Sequence, residues 1–486
     1  YRKIIFLTIP LRSGHFPRAY SGISSLLLFI FHLSYNKLHM AKLFFSGIGG
    51  SGVSAIASFM ADKGHVVAGS DRSFDRSPDH RISRILQAKG ITIVPQDGSG
   101  LDTSFDCAVF STAVENNQPE AVRAMELHIP MKTRPQYLCE IVSSHRTVAV
   151  AGTSGKSTTS GMLAYLMDKL GIKPNFIGGG RVKQFGNQSN LGNSLVGESD
   201  ILVVEACESD GTIVAYYPSY SIIANLNLDH NPIEKTAGMF EILGRNTKDR
   251  IIVNSDDENL TRCRFDKPVT FSIDNASQYR ARAIEYHPFS TDFHVHSVPF
   301  KLSLPGKYNL FNALACIAVL AEMGIRLEAI AAVVPDFSGI DRRFDIHLFD
   351  EHHLVIDDYA HNPHKIASLM DTVKKIREHI CYIFQPHGFG PTRLMKKEYI
   401  DTFAANLRKD DHLIVLPIFY AGGTSIKDIS GEDLCREIRL EGKSAEVLPD
   451  RSLLFGRLRE WDTYIVFGAR DESLADFAHD IAERLQ

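Results

Sequence analysis

An apolar run, Thr147-Val-Ala-Val-Ala151, leads into Gly152-Thr-Ser-Gly-Lys-Ser-Thr158 and then into a helix-like segment that begins Thr159-Ser-Gly-Met-Leu. Few short stretches constrain a fold as strongly. A strand that ends in a glycine turn and restarts as a helix belongs to a parallel α/β layer, because its exposed backbone N–H groups and the helix N-terminus converge on one point that suits a phosphate. Gly152, Thr153, Ser154, Gly155 and Thr158 are expected to cradle phosphates. Lys156 would reach their oxygens, and the Ser157 hydroxyl would ligate magnesium. The spacing differs from G-x-x-x-x-G-K-[ST], since Val150 stands where that form has its first glycine.

A second glycine loop opens the chain's first regular segment. From Met40 the order is strand, Gly47-Ile-Gly-Gly-Ser-Gly52, helix, then strand His65-Val-Val-Ala-Gly-Ser-Asp71. Gly47, Gly49 and Gly52 match G-x-G-x-x-G, and Asp71 is acidic about twenty positions on, as in a Rossmann-type dinucleotide fingerprint. In a nicotinamide reading Asp71 would bind a ribose.

Further along, Ile201-Leu-Val-Val-Glu205 is an apolar strand that ends in the acidic run up to Asp210. A carboxylate at a strand end beside a phosphate loop suits a hard cation, so Glu205 is the first magnesium candidate and Glu208 the second. The strand Ser221–Asn227 leads to Asp229-His230, where His230 is a further metal candidate. Leu304-Pro-Gly-Lys-Tyr-Asn-Leu-Phe-Asn312 turns into an Ala-rich helix, and Tyr308, Asn309 and Asn312 at its start offer an aromatic face and amides suited to a purine; N-capping alone explains one asparagine. Phe337-Ser-Gly-Ile-Asp-Arg-Arg343 has the composition of a linker. Beyond it, apolar strands starting at 354, 380, 412 and 463 alternate with helices. The fold class is therefore α/β, with three consecutive units: Rossmann-like over 40–146, a central P-loop ATPase unit over 147–340, and Rossmann-like over 341–486.

Composition narrows the partners. The 486 residues carry a formal charge of −4, so no basic field marks the chain for nucleic acid or an anionic membrane. Its seven cysteines are scattered with no C-x-x-C pair, which fits reduced thiols in the cytoplasm. Residues 1–39 carry Arg2, Lys3, Arg12 and Arg18 and an apolar run from Ile23 to Leu33 that is short for a membrane span. They are read as an upstream leader or disordered extension without a packed core, with Met40 as initiator and a signal or anchor as the alternative; no stable membrane insertion is expected.

In order, G-T-x-G-K-[ST], E-A-x-E-S-D at Glu205–Asp210, the Asp229-His230 loop, P-G-x-x-N-x-x-N ending at Asn312, the arginine-bearing linker and Asp357-Asp-Tyr-Ala-His-Asn-Pro363 resemble the Mur ligases from Met40 to the C-terminus. The resemblance implies an ATP-dependent, magnesium-dependent ligase that joins an amino acid, L-alanine on the branch most similar, to the carboxylate of UDP-N-acetylmuramate through an acyl phosphate. Attachment of a cell-wall tripeptide is the close alternative. A nicotinamide-dependent dehydrogenase is a distant one, which would leave Lys156, Glu205 and His230 without a role.

The resemblance reassigns Gly47, Gly49, Gly50, Gly52 and Asp71 to the UDP-sugar. It makes Lys156, His230 and Arg343 catalytic, with Ser157, Glu205 and His230 on metal. Arg343 would reach the γ-phosphate, Asp358 the ATP ribose and Tyr308 the adenine, and His361, His387 and Arg393 would lie with the substrates.

Two departures stand out. Arg245 falls where many members carry a modified lysine, as on the alanine-adding branch. After His387 that branch continues Arg-aromatic-Thr-Arg, whereas this chain reads Gly388-Phe-Gly-Pro-Thr-Arg393. Either Arg393 substitutes by a register shift or the amine differs from L-alanine. Oligomeric state is not legible.

Overall fold

The computed structural model describes residues 40–77, 80–112, 114, 117–228, 231–420 and 426–486. The expectations for residues 1–39 and for Asp229-His230 fall outside them.

Three sheets follow one another along the chain. The first is wholly parallel, in the spatial order Thr92–Ile93, Val66–Ser70, Lys42–Ser46, Cys107–Phe110 and Met131–Thr133. In the central sheet the strand Arg146–Ala151 lies between Tyr220–Ile223 and Ile201–Glu205, parallel to both. Asn175–Ile177, Arg250–Asn254, Val269–Ser272 and Tyr279–Tyr286 extend it in parallel. The third sheet runs Asp345–Phe349, Leu354–Asp358, Thr463–Gly468, Ile380–Gln385, His412–Val415 and Ala445–Val447, parallel except at its first pair.

Sequence explains the arrangement. Strands buried on both faces read as unbroken apolar runs, and along Thr147–Ala151 alternate residues serve different cores. Val148 and Val150 pack with Met162, Leu166 and Leu314 on one face, while Ala149 and Ala151 join Phe240 and Leu243 on the other. That second core continues into Phe45, Ile56 and Phe59 of the first unit. The first two units are therefore fused through shared apolar packing. The third has its own cores, around Phe384 on one face and Tyr464 on the other.

The alternating pattern missed the antiparallel extension Thr291–Val295 and Val298–Leu302, which pairs beyond Tyr279–Tyr286 at one edge. Their alternation of buried and exposed residues marks half-buried strands without saying which sheet edge they join. The helix beginning near Asn312 also starts earlier than its Ala-rich part, at Lys307.

The third unit hangs from the linker. Asp341 N donates to Arg181 O at 2.9 Å and Lys183 N to Gly339 O at 3.2 Å, which pin the linker to the central unit. One residue later the allegiance changes. Arg342, 4 % exposed, donates to both Asp357 carboxylate oxygens and to the carbonyls of Gly468 and Asp471 in the third unit. Arg342 and Phe344 hold left-handed backbone, φ 59° and 52°, a conformation that costs about 1–3 kcal/mol per residue and persists only where the surroundings enforce it.

Removing one partner of a buried ion pair leaves a charge stranded. Arg342→Met is expected to destabilise the third unit by about 3–5 kcal/mol, seen as a lowered thermal transition and faster hydrogen exchange in strands Leu354–Asp358 and Thr463–Gly468 with the first sheet unaffected.

Candidate functional site at the meeting of three strand edges

The phosphate loop forms where the sequence places it. Gly152 has φ +142°, and Gly155, at φ +79°, is the residue before the helix Lys156–Lys169, whose start no side chain caps. The free N–H groups there remain for an anion. Side chains hold the loop from both sides. Asn225 accepts from Ser154 N and Thr153 Oγ1 and donates to Ser154 O, all within 2.9 Å. Behind it, Thr159 Oγ1 donates to Asn312 Oδ1 at 3.1 Å, and a Cβ at Gly155 would stand 2.5 Å from that oxygen.

That brace revises the purine assignment. Asn312 and Asn309 are each 4 % exposed. Asn309 donates to Pro305 O at 2.8 Å, and Asn312 Nδ2 donates to Asn309 Oδ1 at 3.4 Å. Both amides support the loop from within. The aromatic partner of the pair remains open, since Tyr308 is partly exposed. Burial raises its phenol pKa, Asp358 adds to the effect and Arg343 opposes it, so this ring sits where the central unit meets the third.

Lys156 Nζ donates to Gly152 O at 2.6 Å and to Glu208 Oε2 at 2.9 Å. Burial alone would lower its pKa, but Glu208, Cys207 and Glu205 outweigh this and raise it. Glu208 is 1 % exposed, and among the described residues its other oxygen has no partner. The sequence ranked Glu208 as a metal ligand; here it holds the lysine. Glu205 Oε2 accepts from Ser157 Oγ and from Gly179 N, each at 2.9 Å. A hydroxyl and a carboxylate oxygen in contact are the donors a hard divalent cation uses. No group of three or more His, Cys, Asp or Glu suited to a metal occurs among the described residues. Arg245 lies exposed in the last turn of the helix Ile233–Asn246.

The first glycine loop is closed by Asp71, whose carboxylate accepts from Gly49 N, Ser73 N and Ser73 Oγ at 2.9, 2.9 and 2.6 Å. A Cβ at Gly49 would meet it at 2.8 Å. Asp71 is thus the clasp of the loop. The following helix, Ser51–Asp62, also starts without a side-chain cap, after Gly47 at φ +79°. This loop is tied to the central unit by Asn193, which donates to Ser51 O and Ser54 Oγ at 2.9 and 3.0 Å, and by the ion pair Arg134–Asp210 at 2.7 Å. A cavity of about 260 Å³, lined by Arg81, Arg181, Lys183, Asn187, Asn190 and Asp341, lies where these units and the linker meet.

From the third unit, Arg343 stands 4.8 Å over the Tyr359 ring. Asp358 accepts from Phe344 N and Ala360 N, both at 2.7 Å, so its expected role toward a ribose is limited to its remaining lone pairs. The His361 and His387 rings lie 5.3 Å apart. Arg393, expected to replace a missing guanidinium, is instead paired with Asp428, both about half exposed. The residues that sequence reasoning missed are Asn225, which no motif flagged, and Arg342, whose neighbour Arg343 drew the assignment.

The chain matches sequence profiles of the Mur ligase family, catalytic domain, over residues 42–146, the Mur ligase middle domain over 150–320, and the Mur ligase glutamate ligase domain over 342–480. It is 31 % identical over 461 residues to a UDP-N-acetylmuramate–L-alanine ligase of Pelobacter propionicus, covering 90 % of this chain and 96 % of that protein. The chain belongs to the Mur ligase family. A second relative of the same name, from Myxococcus xanthus, is 30 % identical and covered to 94 %. Among solved structures, the UDP-N-acetylmuramate–alanine ligase of Thermotoga maritima superposes with a TM-score of 0.77 at 28 % identity, over 92 % of this chain and 99 % of that one. A murein peptide ligase of Psychrobacter arcticus shares the fold, with a TM-score of 0.67 at 21 % identity over 92 % of this chain and 98 % of that one.

Two outcomes follow from this Mur ligase site. Gly155→Ala forces both a left-handed alanine and a clash with Asn312, so it is expected to abolish nucleotide binding in a calorimetric titration while the circular dichroism spectrum stays native. His361 has its pKa lowered, first by burial and then by Lys365. Its neutral form is favoured by the fold, so the stability it confers is complete above the ordinary histidine pKa of about 6.5 and is lost as pH falls through the lowered value. His361→Gln should flatten that acid limb in urea titrations.

Proposed function

We propose that this chain joins an amino acid to the carboxylate of UDP-N-acetylmuramate at the expense of ATP, as the names of its relatives imply for those proteins. The observation that carries the reading is the buried Lys156 ammonium at the phosphate loop, paired with Glu208 and flanked by the Ser157–Glu205 pair.

The chemical difficulty is to bring a carboxylate against a triphosphate. In the proposed first step a carboxylate oxygen attacks the γ-phosphorus, the bond to the β-phosphate oxygen breaks, and ADP leaves an acyl phosphate behind. Lys156 trades Glu208 for phosphate oxygens and neutralises charge that builds in transit. A magnesium ion held by Ser157 and Glu205 would add positive charge to the phosphates. Arg343 supplies a further cation from the linker. In the second step the nitrogen lone pair of the amine attacks the acyl carbon, the C–O bond to phosphate breaks, and the ammonium proton passes to solvent or a nearby base. The third unit, joined to the central one by the Arg181–Glu472 and Lys183–Asp345 pairs, would shield the acyl phosphate from water.

The uncapped start of the helix Ser51–Asp62, with its glycine loop clasped by Asp71, suits the diphosphate of the nucleotide sugar. The described residues contain no helix long and apolar enough to cross a membrane. Cytoplasmic placement is part of the proposal, and the seven free cysteines agree with it.

Phosphate release is expected with ATP, magnesium and UDP-N-acetylmuramate only when an amine is added. Lys156→Ala should remove it by at least about a hundredfold; unchanged turnover would sink the mechanism. Comparing L-alanine with the L-Ala-γ-D-Glu-diaminopimelate tripeptide decides the branch, and preference for the tripeptide would replace L-alanine as the amine.

A further inference from the structure

The Gly388–Arg393 stretch does not leave a bare surface where the expected arginines are missing. In an open parallel sheet, ligands sit outside the carboxyl ends of the strands. The segments that follow Leu354–Asp358, Ile380–Gln385 and His412–Val415 all emerge at that edge of the third sheet. They are tied together: Gly388 N donates to Phe419 O and Phe419 N to Pro386 O, both at 2.8 Å. Gly388, at φ +69°, then turns the chain into the short helix Phe389–Leu394.

Two groups of rings line this edge. Arg343 covers Tyr359 at 4.8 Å, Tyr359 meets His361 at 5.6 Å, and His361 meets His387 at 5.3 Å. Two residues past His387, Phe389 packs edge-on to Tyr420 at 5.4 Å. Lys427 Nζ stands over both rings, 5.0 Å from Tyr420 and 5.9 Å from Phe389. Each group carries a cation, Arg343 on the first and Lys427 on the second.

The two candidate cations beside the Phe389–Tyr420 pair, Arg393 on the same short helix as Phe389 and Lys427 over both rings, differ in availability. Arg393 is neutralised by Asp428. Lys427 makes no ion pair among the described residues, and its cation–π contacts leave ammonium hydrogens to donate. An amino acid brings a carboxylate, which needs a cation, and a side chain, which needs a surface. Here the cation is Lys427 and the surface is the Phe389–Tyr420 pair.

We propose that Phe389, Tyr420 and Lys427 form the recognition site for the incoming amine substrate, with Lys427 binding its carboxylate and the ring pair its apolar side chain. This rests on the ligase reading. Lys427 takes the part for which arginine would otherwise be expected, as a single point charge in place of a two-pronged fork. The ring pair gives the site an apolar wall on which a side chain larger than a methyl group gains contact.

The test is steady-state phosphate release with the full chain, ATP, magnesium and UDP-N-acetylmuramate, titrating L-alanine, L-valine and L-leucine. Lys427→Met is expected to raise KM for every amino acid by roughly three- to tenfold, the range of a half-exposed charge-assisted contact. KM for ATP and for the nucleotide sugar should not move, and Lys427→Arg should restore most of the loss. Phe389→Ala should raise KM for L-leucine more than for L-alanine. Amine KM values unchanged in both Lys427→Met and Phe389→Ala would overturn the assignment while wild-type turnover leaves the ligase reading intact. Absence of amine-dependent phosphate release in the wild type would instead defeat the ligase reading, and the assignment with it.

Discussion

A buried ammonium organises this molecule. Lys156 sits just past the carboxyl end of the strand Arg146–Ala151 with its side chain 11 % exposed, facing a glutamate that is 1 % exposed. An unpaired charge in such a place costs several kcal/mol, so some anion must always be present. Here Glu208 and the Gly152 carbonyl supply it. A phosphate supplies it better, having more oxygens and a larger charge. The loop must hold its shape through that exchange, which is why so many neighbours are committed to it: Asn225 on one side, and Thr159 with Asn312 on the other. Gly155 is required twice, by its left-handed backbone and by the 2.5 Å left for any Cβ.

The linker translates that rigidity to the third unit. Ile340 packs where Gly161 and Gly180 leave no room for side chains, and Gly180 itself lies against Ser157. Asp341 is held by the central unit and Arg342 by the third, so the change of ownership falls between adjacent residues. The left-handed backbone at Arg342 and Phe344 is the cost of that abrupt turn, and the Arg342–Asp357 pair over-determines it. Arg343, between the two strained residues, is thereby aimed by its neighbours. Side-chain ion pairs Arg181–Glu472 at 2.9 Å and Lys183–Asp345 at 2.6 Å add polar links across the same boundary. Polar links of this kind exchange with water more readily than the apolar core shared by the first two units.

The sequence disclosed what has a local period or a fixed spacing. Three α/β units, the phosphate loop and the Ser157–Glu205 pair were all legible, because a strand, a glycine turn and a helix in succession leave little alternative. Roles that depend on which side chain faces inward were not. Asn309 and Asn312 read as free amides until their partners Pro305 and Thr159 were in place. Asp71 read as a ligand, since nothing local reveals that Gly49 N occupies it. Arg342 and Arg343 are indistinguishable in a charged linker, and only Asp357, on the adjoining strand, tells them apart. Asn225 stands alone in its strand end and belongs to no motif, yet it makes three bonds to the phosphate loop.

The geometry of parallel sheets accounts for how such distant residues come to cooperate. Every parallel strand delivers its following loop to the same edge, so each unit gathers its glycine turns and acids on one side. The first sheet presents Gly47 and Asp71 after adjacent strands, the central sheet presents Gly152 and Glu205 likewise, and the third presents Tyr359 and Gly468. Three such edges give the chain three separate loop clusters. The antiparallel strands are consistent with this logic, for they lie at the rims of the sheets: Val298–Leu302 and Ser194–Leu195 close the two ends of the central sheet, and Asp345–Phe349 closes one end of the third. A reaction between three substrates needs three loop clusters with separate chemistries. Stacking three parallel sheets along one chain supplies them with no strand required to serve two reactants.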